Sequence, residues 1–135
     1  MKLLDTSVIV DHLRGLGSAT ALLNGYVTSG ESLAVSELTR FELLAGVRPA
    51  EREEVEALFS VFAWVPVTED ISRRAGAHAR TYRRSHSGIG VVDYLLAGTA
   101  QALGADLVTT NDRHFPMFKA LQPPYPPLPG RSAEQ

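Results

Sequence analysis

The sequence predicts an α/β domain with a short, mostly parallel sheet flanked by helices. Four short apolar runs alternate along the chain with longer segments whose apolar residues recur at helical spacing, which is typical of βαβ units. The 135 residues suffice for one compact domain and are too few for two ordinary ones. The predicted strands are Lys2–Leu4, Leu33–Val35, Trp64–Val67 and Leu107–Thr109.

The helices between these strands follow from apolar spacing and from residues that start or stop a helix. Ser18 and Ser36 are expected to cap the second and third helices, and Gly46 and Gly104 to end the third and the last. The predicted helices cover residues 6–13, 18–30, 37–46, 49–62, 69–82 and 92–103.

The chain divides into one domain and a short tail. Residues 1–121 are expected to form the α/β domain. Residues 122–135 contain five of the eight prolines. We therefore expect this proline-rich tail to be extended or disordered and to lie outside the core.

The composition excludes several classes of protein. Thirteen Lys and Arg face fifteen Asp and Glu, so any nucleic-acid contact requires a local basic patch. The absence of cysteine excludes disulfides, cysteine-based zinc sites and a thiol nucleophile. A small domain without disulfides is expected in the cytoplasm. No apolar run approaches the roughly 18–20 residues that a membrane span requires.

Four acidic residues stand at junctions between predicted elements: Asp5, Glu42, Asp93 and Asp112. In a parallel sheet such junctions meet outside the carboxyl ends of the strands, where ligands collect. Each acid alone also has a structural explanation. Asp5 is a good helix cap, Glu42 completes a capping-box pattern with Thr39, Asp93 suits a helix start, and Asp112 suits a turn. The functional interpretation therefore depends on the set.

Each of the four acids lies within a distinctive segment. The segments read LLDTSV at 3–8, SELTRFELLAG at 36–46, VDYLLAGTA at 92–100 and LVTTNDRHF at 107–115. In this order and spacing they resemble the motifs of the PIN-domain ribonucleases, over about residues 3 to 118. The compact length and the second and fourth segments resemble most closely the VapC-type toxins of bacterial toxin–antitoxin pairs. One departure is Val92, where many relatives have proline.

The resemblance implies a PIN-like three-layer domain with Asp5, Glu42, Asp93 and Asp112 as the acidic residues of a catalytic site. Asn111 is the alternative to Asp112, because some relatives place the acid or amide there. Thr6 and Ser7 would orient Asp5 or a water. Carboxylates in one crevice repel one another, and oxygen ligands suit Mg²⁺ or Mn²⁺. Asp5, Asp93 and Asp112 would contact that metal, whereas Glu42 would hold a second metal or position the water.

The implied function is metal-dependent hydrolysis of RNA by the toxin of a VapBC-type pair. The expected partners are transfer RNA or ribosomal RNA, a VapB-type antitoxin and a second copy of the chain. A basic stripe of Arg73, Arg80 and Arg84, together with Arg113, is the candidate RNA contact, and a solvated helix face is its alternative. Two other functions stay open: a PIN nuclease of ordinary RNA processing without an antitoxin, and a non-catalytic binding module.

Overall fold

The structure, a computed structural model, describes residues 1–126. These residues form four strands, which are β1 (Lys2–Leu4), β2 (Leu33–Ser36), β3 (Ala63–Val65) and β4 (Asp106–Val108). They also form six α-helices, which are α1 (Thr6–Leu13), α2 (Gly17–Thr28), α3 (Glu37–Gly46), α4 (Arg52–Phe59), α5 (Glu69–Tyr82) and α6 (Val91–Leu103). Short 3-10 helices cover Pro49–Glu51 and Asp112–His114.

The strands form one parallel sheet in the order β3-β2-β1-β4. Strand β1 pairs with β2 on one side and with β4 on the other, so that Leu3 lies opposite Ala34 of β2 and Leu107 of β4. The predicted fold class is therefore confirmed. Because β1 is an inner strand, the residue that follows it emerges at the middle of the carboxyl edge of the sheet.

Both faces of the sheet are buried, which gives the domain its three layers. Leu4, Val35 and Val108 pack into a cluster that includes Val8 and Ile9 of α1. Their neighbours along the strands (Leu3, Ala34 and Leu107) pack on the opposite face with residues of α6. Successive side chains of a strand point to opposite faces, so two adjacent apolar residues in each short strand serve both cores.

The structure confirms one predicted cap and corrects three other details. Ser36 caps α3 as predicted, by accepting a hydrogen bond from Leu38 N at 3.1 Å, whereas Thr39 is buried within that helix. The capping-box explanation of Glu42 therefore fails. The second helix begins at Gly17 without a side-chain cap, so Ser18 is not its cap. Residues 49–62 are not one helix, because a 3-10 turn precedes α4 and α4 ends at Phe59.

The first part of the proline-rich tail is described. Residues 122–126 form neither helix nor strand, and Tyr125 is half-buried against the domain. The remaining part of the predicted tail, residues 127–135, lies outside the described residues.

Helices α5 and α6 meet at Gly98. A Cβ atom at this position would lie 2.7 Å from the Ile71 carbonyl oxygen and 3.2 Å from the Ala75 nitrogen. Both neighbours are backbone atoms, so the contact cannot be relieved by rotating a side chain. We expect Gly98→Ala to lower the free energy of unfolding by about 1–3 kcal/mol, because overpacking outweighs the gain in helix propensity.

The matched control is Gly76→Ala in α5, where a Cβ would meet nothing within 4 Å. That substitution should raise the free energy of unfolding by about 0.5–1 kcal/mol. Urea titrations of the three proteins provide the measurement. Equal effects of the two substitutions would contradict the close helix contact.

Candidate active site

Asp5 follows β1 and forms the N-cap of α1. Its side chain is buried, with the residue 5% exposed, and accepts three hydrogen bonds. Thr109 Oγ1 donates at 2.6 Å, the Thr6 backbone N–H at 2.8 Å and Ser7 Oγ at 3.2 Å. The two interpretations of Asp5 from the sequence, a helix cap and a site residue, are therefore compatible, because the same carboxylate caps α1 and lies at the carboxyl edge of the sheet.

The environment of Asp5 opposes its ionisation. Burial raises the pKa of its carboxyl group above the ordinary value of 3.8, and the Asp93 carboxylate raises it further. The hydrogen bonds from Thr109, Thr6 and Ser7 lower the pKa and only partly offset the burial. A cation placed beside this carboxylate would favour its charged form.

Glu42 is brought to Asp5 by the first turn of α1. Thr6 Oγ1 donates to Glu42 Oε1 at 2.6 Å, and the same hydroxyl lies 3.4 Å from Thr39 Oγ1. Thr6 and Ser7, the predicted supporting residues, thus act on two different acids. Thr6 holds Glu42 of α3, and Ser7 holds Asp5.

Asp93 lies in the first turn of α6, where its Oδ2 accepts a hydrogen bond from Gly90 N at 3.2 Å. His114 Nδ1 lies 3.2 Å from the same oxygen. Its place in the fourth motif, three residues after Asn111, was the available signal, but nothing in a single sequence pairs it with Asp93.

At the fourth position the structure separates the two candidates. Asn111 lines the cleft, and its N–H donates to Thr109 Oγ1 at 3.0 Å, the same hydroxyl that binds Asp5. Asp112 begins the 3-10 helix and is not one of the described residues that line the cleft. The described lining of the cleft therefore includes Asn111 and not Asp112, and the roles of both residues stay predictions.

These side chains line one open cleft of about 370 Å³ at the carboxyl edge of the sheet. Asp11 of α1, which sequence reasoning did not single out, also lines this cleft. We call this space the acidic cleft, and its lining residues are Asp5, Thr6, Ser7, Val10, Asp11, Glu42, Val92, Asp93, Thr110 and Asn111.

The predicted basic contacts lie outside the described lining of this cleft. Arg73 pairs with Glu69 of its own helix at 3.2 Å. Arg80 and Arg84 are exposed near the end of α5. His78, which precedes Arg80 on α5, contacts Gln101 of α6. Gln101 is eight residues after Asp93, which corresponds to about 12 Å along the helix at 1.5 Å per residue, so this end of α5 lies away from the cleft. Arg113 is exposed beside His114. The Arg residues stay predictions as RNA contacts.

The donor set of the cleft fits a hard divalent cation. Carboxylate and amide oxygens are the ligands that Mg²⁺ and Mn²⁺ prefer. Within residues 1–126, no three acidic or histidine side chains converge closely enough to form a preassembled metal cluster. Mg²⁺ does not require one, because it commonly keeps several waters and uses one or two carboxylates. Asp5 and Asp93 are the residues best placed to supply them.

Comparison with known proteins agrees with this fold. A family model described as PIN domain matches residues 2–121. The chain therefore belongs to the PIN-domain family. Within that family it groups with the VapC ribonucleases. It is 59% identical to Ribonuclease VapC19 of Mycobacterium tuberculosis over 93% of this chain and 100% of the relative. It is 46% identical to Ribonuclease VapC10 of the same organism, over 93% of each chain.

Solved structures share the same fold. A toxin–antitoxin complex from Klebsiella pneumoniae contains a chain with a TM-score of 0.78 and 23% identity, covering 93% of this chain and 98% of that one. VapBC-1 from nontypeable Haemophilus influenzae gives a TM-score of 0.73 and 25% identity, covering 90% and 94%. The resemblance predicted from the four motifs is confirmed. Within the described part of the chain, no helix has the length and apolar character needed to cross a membrane.

The raised pKa of Asp5 makes stability depend on pH in a defined direction. The folded protein binds the Asp5 proton more tightly than the unfolded chain does. The stability gained from protonated Asp5 is therefore complete at pH values below the pKa that Asp5 has in the unfolded chain. It is lost as the pH rises through the higher pKa that Asp5 has in the folded protein. We therefore expect the free energy of unfolding of the wild type, relative to Asp5→Asn, to fall as pH rises from about 4 to 8.

Urea titrations in EDTA across this pH range measure the difference. Glu53→Gln is the control, since Glu53 is an exposed acid on α4. If the difference in free energy of unfolding between the wild type and Asp5→Asn did not change with pH, the raised pKa of Asp5 would be contradicted.

Proposed function

We propose that this protein is the endoribonuclease toxin of a VapBC-type toxin–antitoxin pair and hydrolyses RNA with Mg²⁺ or Mn²⁺. The observation that carries the proposal is the meeting of Asp5, Glu42, Asp93 and Asn111 in one open cleft. Its relatives named VapC ribonucleases support the reaction, and the VapBC complexes among its structural neighbours support the pairing. The proposed site of action is the cytoplasm, where transfer RNA and ribosomal RNA are present.

The residues divide the chemistry among them. Asp5 and Asp93 would hold the cation with Asn111, and the Ser7 and Thr109 hydroxyls keep Asp5 in place. When bound, such a cation offsets charge on the phosphate and increases the acidity of water. Glu42, fixed by Thr6, orients the attacking water or holds a second cation. Water adds to phosphorus, one phosphorus–oxygen ester bond breaks, and the leaving oxygen takes up a proton.

The antitoxin partner is supported by an apolar groove that adjoins the acidic cleft. Val10 and Glu42 line both spaces, so a segment seated in the groove would reach the acids. Arg14 and Glu51 also line the groove and lie 3.7 Å apart. We assign the groove to an antitoxin segment with an apolar face. The remaining residues of the groove are Leu13, Leu43, Gly46, Val47 and Val55.

A second copy of the chain is the other proposed partner. The outer face of α3 carries Phe41, which is 69% exposed, and Leu44, which is 45% exposed. Large apolar side chains grouped on one face are typical of an interaction surface. A monomer in sedimentation velocity at micromolar concentration would contradict the homodimer.

Asp93→Asn tests the reaction, because it removes a charge from the cleft and keeps the size of the side chain. We expect the purified wild type to cut transfer RNA or ribosomal RNA into discrete fragments with Mg²⁺ or Mn²⁺. EDTA should stop the cleavage. Asp93→Asn should lower the rate by about 10²-fold or more, and should remove growth arrest when the chain is expressed without an antitoxin.

The outcomes distinguish the open functions. Metal-dependent cleavage without growth arrest would favour ordinary RNA processing. RNA binding by a folded, antitoxin-free protein without any cleavage would favour a non-catalytic module. An Asp93→Asn variant that cleaved RNA as fast as the wild type would contradict the proposed mechanism.

A paired substitution tests the fourth position. Asn111→Ala removes an amide from the cleft, whereas Asp112→Ala changes a residue outside its described lining. We expect Asn111→Ala to lower the cleavage rate at least tenfold and Asp112→Ala to change it less than threefold, on the order of effects seen for metal-site neighbours. Initial rates on the same RNA provide the comparison. The reverse order would restore Asp112 as the residue that faces the metal.

A further inference from the structure

The C-terminal segment reaches the acidic cleft through one hydrogen bond. Tyr125 Oη donates to Asp11 Oδ2 at 2.6 Å, joining residues that are 114 positions apart. Asp11 lines the cleft, and the residue is 2% exposed. Tyr125 therefore contacts, through Asp11, a residue of the wall of the candidate site.

The path of the chain explains how Tyr125 arrives there. Phe118 and Leu121 pack against the cluster on the α6 side of the sheet. Four residues later, Tyr125 binds Asp11 of α1. Residues 122–126 thus run from the cluster on the α6 side of the sheet to Asp11 of α1.

Asp11 lies on the same helix as the groups that organise the cleft. It is one helical turn after Ser7, which holds Asp5. A buried carboxylate needs hydrogen-bond donors, and a phenol hydroxyl at 2.6 Å is a short, charge-assisted one. The hydrogen bond from Tyr125 helps to hold the Asp11 carboxylate in its place at the wall of the cleft.

We propose that Tyr125 is a positioning residue of the acidic cleft. It orients Asp11 so that a fourth carboxylate of the cleft strengthens divalent-cation binding there from behind the metal-holding acids. Groups that act behind the direct ligands commonly change metal affinity by about tenfold or more. The inference rests on the proposed metal-dependent function and adds a role for the C-terminal segment.

Direct Mn²⁺ binding tests this inference without relying on cleavage. Isothermal titration calorimetry would compare the wild type with Tyr125→Phe, Asp11→Asn and the double variant. We expect Tyr125→Phe and Asp11→Asn each to weaken Mn²⁺ binding about tenfold. The double variant should bind as weakly as Asp11→Asn alone, because Tyr125 acts through Asp11.

Tyr26→Phe is the matched control. Tyr26 is a half-buried tyrosine on α2 whose ring lies near Lys2 rather than the cleft, so this variant should bind Mn²⁺ as the wild type does. Thermal unfolding in EDTA gives a second readout. A merely structural role for Tyr125 would lower the unfolding temperature and leave Mn²⁺ affinity unchanged.

The outcomes separate this inference from the proposed function. Unchanged Mn²⁺ affinity in Tyr125→Phe, or additive losses in the double variant, would overturn the role of Tyr125 while the wild type still bound Mn²⁺ and cut RNA. A wild type that neither bound Mn²⁺ nor cut RNA would overturn both. Tenfold weaker binding in both single variants, without further loss in the double variant, would support the inference.

Discussion

The buried carboxylate of Asp5 is the interaction on which the cleft depends. Removing a charge from water is costly, so the fold surrounds this group with three donors from two places. The Thr109 hydroxyl reaches it from the end of β4, and Thr6 and Ser7 reach it from the first turn of α1. Because β1 is an inner strand of the sheet, these contacts join the neighbouring strand and helix at one point.

The hydroxyl groups around Asp5 also position the other members of the site. Thr6 binds Glu42 of α3, Thr109 accepts from the Asn111 backbone, and Ser7 accepts from the backbone of Thr110. Hydroxyl groups can serve as donors or acceptors by rotation, so they can hold carboxylates together without adding charge. The result is a cleft whose acids are kept near one another although they repel, which is the condition that a divalent cation relieves.

Sequence patterns predicted the elements well where burial and local chemistry agree. The apolar runs of β1 and β2 were recognisable because both faces of the sheet are covered, and α1 and α3 were predicted within a residue of their ends. Local patterns were wrong where a residue matched a capping motif without standing at a helix start. Ser36 caps α3 as predicted, but Thr39 lies buried within that helix, so its capping-box match with Glu42 has no structural counterpart.

The order and spacing of the four motifs determined the family and the fold class and marked Asp5, Glu42 and Asp93 as candidate site residues, because residues that follow parallel strands must meet at one edge of the sheet. Tertiary structure alone decided that Asn111 is among the described residues that line the cleft, that His114 lies beside Asp93, and that Tyr125 reaches Asp11. These choices depend on the rotation of a tight turn and on contacts between distant residues. Neither leaves a periodic signal in a single sequence.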